Sequence, residues 1–139
     1  MPDRLVFLRR VLLLDAGVSG ATGLLLMAAG AALDPWLGLP AALLRPAGAS
    51  LLPFAAALIV LARAPEPPRA AVQAVIALNA LWVAASLFLL VGGWVSPTPL
   101  GYAFVVVQAV AVLGFAELQW TGLRRMGGIQ LPPTEKVRV

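Results

Sequence analysis

Apolar residues run through this 139-residue chain in four long blocks, residues 11–33, 40–62, 74–94 and 100–120, separated by short stretches rich in proline, glycine and charge. A hydrocarbon core of about 30 Å needs roughly 20 helical residues at 1.5 Å each, so every block is long enough to cross a bilayer. A soluble bundle would need a polar stripe on each helix. These blocks are apolar almost all round, and the chain is 61% hydrophobic and 12% charged. The pattern predicts an all-α, four-transmembrane-helix bundle formed by residues 1–125, with 126–139 as a disordered cytoplasmic tail. Short connections make consecutive helices antiparallel neighbours, giving an up-down-up-down arrangement of two hairpins.

Charge sets the expected orientation. Of ten basic residues, Arg4, Arg9, Arg10, Arg63, Arg69, Arg124, Arg125, Lys136 and Arg138 fall before the first block, between the second and third, or after the fourth. The loops 34–39 and 95–99 carry none. The positive-inside bias then puts both termini and the middle loop in the cytoplasm, with Trp36 and Trp94 at the outer interface and Trp120 at the inner one. Basic residues at span ends also explain the net charge of +4 without a nucleic-acid partner. The first block resembles a signal peptide, with Arg9 and Arg10 before it and the small residues 28–32 at its end, but its apolar core is too long for one.

Local signals refine the connections. Residues 64–68, Ala-Pro-Glu-Pro-Pro, form a stiff linker, and Ser96-Pro97-Thr98-Pro99 offers a cap and first-turn proline for the fourth helix. Pro46, Gly48 and Pro53 predict an interrupted second helix, with the carbonyl of Ala49 freed by Pro53. On the first helix, the pairs Ala16/Gly20, Gly17/Ala21 and Ser19/Gly23 are each four residues apart, a spacing that lets backbones approach closely. The second hairpin also aligns on the first at an offset of about 61 to 64, placing Asp15 over Asn79, Thr22 over Ser86, Leu37-Gly38 over Leu100-Gly101 and Arg45 over Gln108. A parallel internal duplication would give such a match.

The absence of cysteine and histidine removes disulfides, thiolate and imidazole metal ligands, haem ligands and Ser-His triads. No cofactor or metal is expected. Attention falls instead on polar residues inside the blocks. Asp15 lies four residues past the start of the first, and a carboxylate there costs on the order of 3 kcal/mol unless paired, hydrated or protonated. Ser19 and Thr22 follow at i+4 and i+7 on its face; Asn79, Trp82 and Ser86 share a face of the third helix; Gln108 lies mid-span on the fourth with Gln119 near its face. Arg45 lies about 7 Å below the outer surface by helical rise. These residues predict a polar seam from Asp15 and Asn79 inside, past Trp82 and Gln108, to Arg45, Thr22 and Ser86 outside. Glu117, on the opposite face from Gln108, is expected to reach Arg124 or Arg125.

Leu14-Asp15, Asn79-Ala80-Leu81-Trp82, Ser96-Pro97-Thr98 and the ending Leu118-Gln119 to Gly122-Leu123-Arg124-Arg125 resemble a group of small bacterial four-helix integral membrane proteins with no assigned activity. The resemblance implies a bacterial cytoplasmic (inner) membrane location and the same architecture, but no mechanism. Small multidrug transporters differ in carrying a mid-span glutamate in the first helix, and the glycine, arginine and asparagine signature of fluoride channels is not recognisable here. Two roles follow from the residues. The first is a non-enzymatic accessory or structural component, partnered by the bilayer and by a second copy or another membrane protein. The alternative is an oligomeric small-solute carrier, channel or ligand-binding bundle using the seam. Enzymatic action is not expected, because no nucleophile or second well-placed carboxylate accompanies Asp15.

Overall fold

The computed structural model describes residues 2–127. It holds four helices: α1 (Pro2–Leu37), α2 (Ala41–Arg63), α3 (Arg69–Val91) and α4 (Pro99–Gly127). All four are long and apolar enough to cross a membrane. Large apolar side chains lie on the outside of the bundle, among them Val60 (72% exposed) and Val91 (80%). An apolar exterior of this kind is stable against lipid and not against water, so the chain is a multi-pass membrane protein.

The helices begin and end where backbone chemistry requires. Gly38 adopts φ +66° after Leu37 and its N–H donates to the Asp34 carbonyl, ending α1 in a left-handed turn. The Asp34 carboxylate then accepts the Ala41 N–H at 2.9 Å and caps the start of α2. Thr98 caps α4 by accepting the Gly101 N–H at 3.1 Å, with Pro99 as the first helical residue. The same hydroxyl donates to the Trp36 carbonyl, so the cap also ties α4 to the end of α1. α3 starts directly after Pro68, at Arg69, and stops at Gly92-Gly93, where Gly93 has φ +77°. It therefore lies closer to the 64–68 linker than the block 74–94 predicts, and Trp94 folds back onto Phe88 with ring centroids 4.8 Å apart. α1 and α4 extend past their predicted blocks, α4 through Met126 and Gly127; the rest of the expected tail lies outside the described residues.

The predicted interruption of α2 does not occur. Pro46 and Pro53 sit within one continuous helix, both on its outer side, while the opposite side packs on α1. There Gly23 and Gly48 meet back to back: a Cβ on Gly48 would lie 2.7 Å from the Gly23 carbonyl oxygen, and one on Gly23 would lie 2.8 Å from that of Gly48. The stripe continues with Gly20 facing Ala55 and Gly30 facing Leu44 and Arg45. Of the three small-residue pairs, Ala16/Gly20 and Ser19/Gly23 face the interior, whereas Gly17 and Ala21 face outward.

α1 is the central helix, packed along α2 on one side and α4 on another, with α3 against α4. α2 and α3 come together only sparsely, mainly beside the 64–68 linker, where Leu58, Leu61 and Ala62 meet Val72 and Val75. A twofold relation between the hairpins would make the α2–α3 contact match the α1–α4 contact, so the packing departs from that symmetry. At the same end, Arg9 donates to the Ala64 and Pro65 carbonyls, Arg4 donates to the Arg125 carbonyl, and Arg125 lies over the Phe7 ring. Glu117 is exposed, and Arg125 is engaged with Phe7 and not with it.

Candidate functional site

The polar residues of the helices form two separate clusters. The first centres on Asp15, which is fully buried. Its Oδ1 accepts from Ser19 Oγ at 3.0 Å, one turn later on α1. Its Oδ2 accepts from Asn79 Nδ2 of α3 at 2.8 Å and from Gln119 Nε2 of α4 at 2.7 Å. Asn79 Nδ2 also donates to Gln119 Oε1 at 3.0 Å, closing the network. A carboxylate offers only acceptors, and three neutral donors meet it from three helices. Each amide orientation follows from its neighbours, since Gln119 must turn its N–H toward Asp15 and its oxygen toward Asn79.

The second cluster lies one to two turns farther along α3, at Trp82 and Ser86. Trp82 Nε1 donates to Gln108 Oε1 at 2.8 Å, Gln108 Nε2 donates to Ser86 Oγ at 3.0 Å, and Ser86 Oγ donates to the Trp82 carbonyl at 2.7 Å. Indole N–H is a donor only, so it fixes which end of the Gln108 amide faces Ser86. This ring joins α3 to α4. Thr22, from α1, stands beside it and lines the space in front of both helices.

That space is a cleft between α2 and α3. Its deeper part, about 380 Å³, is lined by residues including Ser19, Thr22, Ser50, Phe54, Asn79 and Gln108. A second part of about 220 Å³ reaches Leu39, Leu43, Leu89 and Phe104. Both share Thr22, Trp82, Ala85 and Gln108, so they are continuous. The lining is overwhelmingly apolar; Ser19, Thr22, Asn79 and Gln108 contribute polar groups from α1, α3 and α4, and Ser50, on α2, donates to its own helix's Ala47 carbonyl.

The expected single seam is thus resolved into a tetrad around the buried Asp15, a polar ring, and a cleft that Ser19 and Asn79 of the tetrad and Trp82 and Gln108 of the ring help to line. Asp15, Ser19 and Asn79 come together in the tetrad; Trp82, Ser86 and Gln108 form the ring; Thr22 faces the cleft. Arg45 belongs to none of these. Leu43, Ala47, Ser50 and Phe54 line the cleft from α2, and at 3.6 residues per turn Arg45 points about half a turn away from them, exposed on the far side near Gly30. The residue absent from the expected site is Gln119, fully buried and bonded to both Asp15 and Asn79. Its signal was its spacing: eleven residues after Gln108, three helical turns, it must share that face of α4.

Comparison with protein-family models, with curated proteins and with solved structures finds no match to this chain. The functional reading therefore rests on the geometry.

Proposed function

We propose that this chain is a non-enzymatic accessory or structural component of a membrane assembly, resident in a bacterial cytoplasmic membrane with both ends on the cytoplasmic side. One observation carries the reading: Asp15, the only carboxylate buried in the bundle among the described residues, has no exposed surface and accepts hydrogen bonds from Ser19, Asn79 and Gln119. A site that loads and releases a proton or cation needs access from water, whereas a helix lock needs none. The carrier reading requires the tetrad to open. Glu117 faces outward and Asp34 caps α2, so neither supplies Asp15 with the second carboxylate that acid–base chemistry would use.

The orientation rests on the basic residues gathered where α1 begins and α4 finishes, with Arg9 holding the α2–α3 linker. The chain lacks cysteine, so one introduced in the 92–98 loop reports sidedness directly. The Pro97→Cys variant is expected to react with an impermeant maleimide from outside intact cells. The accessory role is tested by native mass spectrometry of the protein extracted gently from its own membrane. Another membrane protein or a second copy at fixed stoichiometry is the expected result. A lone chain, together with a solute flux abolished by Asp15→Asn, would overturn it.

A further inference from the structure

We propose that the cleft between α2 and α3 binds an uncharged, lipid-soluble molecule bearing a carbonyl oxygen, of the quinone or long-chain ketone class. The inference needs the membrane setting but not the accessory role, and it holds or fails independently of any protein partner.

The cleft is held open by the fold. α2 is fixed to α1 by the Gly23–Gly48 contact, and α3 is fixed to α1 by the Asn79–Asp15 bond. Leu58, Leu61, Val72 and Val75 close the space between α2 and α3 only at the linker end. The walls are thus set by contacts within the protein, the Asn79–Asp15 bond lying at the cleft's edge, and a preformed, mostly apolar cavity with a few convergent polar groups is the usual form of a small-molecule site.

Size chooses the occupant. From Leu78 to Leu89 the cleft follows α3 for eleven residues, about 16 Å. Its wider part extends over Leu78 to Ala85, about 10 Å, and holds about 380 Å³. That volume falls within the roughly 300–1,000 Å³ of ordinary small-molecule sites, room for one flat ring with part of an extended chain. Phe54 on α2 and Trp82 on α3 supply aromatic walls for a ring.

Polarity chooses the chemistry. Gln108 Oε1 accepts from Trp82 and one Nε2 hydrogen goes to Ser86, which leaves the second amide hydrogen to a ligand in the cleft. The Thr22 hydroxyl stands on the α1 side of the same space. A bare hydrocarbon tail would leave an amide donor unpaired in an apolar setting, whereas a carbonyl oxygen accepts it. Charge is disfavoured, because Asp15 is buried and engaged by Ser19, Asn79 and Gln119, Arg45 lies on the far side of α2, and among the described residues no ionisable side chain lines either part.

The test uses the full chain with Trp36, Trp94 and Trp120 replaced by phenylalanine, leaving Trp82, in dioleoylphosphatidylcholine vesicles titrated with decylbenzoquinone, which quenches indole fluorescence. Saturable quenching is expected at a quinone mole fraction at least tenfold below that which quenches tryptophan octyl ester in the same vesicles. Gln108→Leu should raise the half-point at least tenfold, and so should Ala85→Leu, which narrows the cleft without touching a hydrogen bond; circular dichroism checks the helicity of both. Quenching proportional to quinone with no saturation would overturn the site. Saturation unchanged in Ala85→Leu would place the quinone elsewhere, and saturation unchanged in Gln108→Leu would overturn the carbonyl contact.

Discussion

Two interfaces meet at α1, and they are built on opposite principles. Toward α2 the contact is glycine on glycine, with Gly23 and Gly48 pressed backbone to backbone and, among the described residues, a side-chain hydrogen bond only at the helix ends, from Ala41 N–H to Asp34. Toward α3 and α4 the contact is the Asp15 tetrad, four polar side chains that satisfy one another in a buried position. In lipid, apolar burial gives helices no reason to associate, so close packing and interhelical hydrogen bonds must hold them. The first interface depends on the absence of side-chain atoms; the second depends on their exact complement of donors and acceptors. The one pair of sequential neighbours with neither device along most of its length, α2 and α3, is where the cleft opens.

The two interfaces should fail differently. The largest effect is expected at the glycine contact: Gly48→Leu forces α2 away from α1 because the obstructing atoms are backbone, and should cost about 3 kcal/mol or more in reversible unfolding from mixed micelles. Next comes Asn79→Leu, which leaves Gln119 Oε1 without its donor and removes one of the two donors to the buried Asp15 Oδ2, and should cost about 2 to 3 kcal/mol by the same assay. Trp82→Phe removes one hydrogen bond from the half-buried ring and should cost about 0.6 kcal/mol, the usual worth of such a bond between membrane helices. Gly17→Ala is the control, since its added Cβ meets nothing within 4 Å; a change within about 0.5 kcal/mol is expected. Equal losses from Gly17→Ala and Gly48→Leu would show that helix propensity, and not close approach, governs α1.

Much of this comparison was legible in the chain. Block length and charge placement gave four helices, and the four-residue spacing of Ser19 and Gly23 marked the packed face of α1. Asp15 and Asn79 were expected at a common depth, and they meet. What spacing does not reveal is which of several faces a neighbour occupies. Gly17/Ala21 has the same pattern as Ala16/Gly20 yet faces outward, and Arg45 has the right depth for the seam but the wrong azimuth. Prolines misled for a related reason: Pro46 and Pro53 predicted a break, but a ring on the outer side leaves the packed side of α2 undisturbed. Gly92-Gly93 carried a stop signal that the apolar run through Trp94 obscured. The tetrad could not be assembled without Gln119, and its partnership with two other helices is a tertiary fact that no single-helix periodicity contains.

The central claim is that the Asp15 carboxylate is bound within the fold and serves to join its helices. A double-mutant cycle on Asp15→Leu and Gln119→Leu tests it most directly, with unfolding free energies read in mixed micelles. Gln119→Leu alone leaves the carboxylate short of a donor and Asp15→Leu alone leaves the Gln119 amide N–H short of its acceptor; the double variant removes both of these penalties, although Asn79 Nδ2 then has neither acceptor. The two losses should therefore be non-additive, with the pair costing at least about 1 kcal/mol less than the sum of the singles. Additivity within about 0.3 kcal/mol would mean that the two side chains do not depend on each other, and would contradict the account.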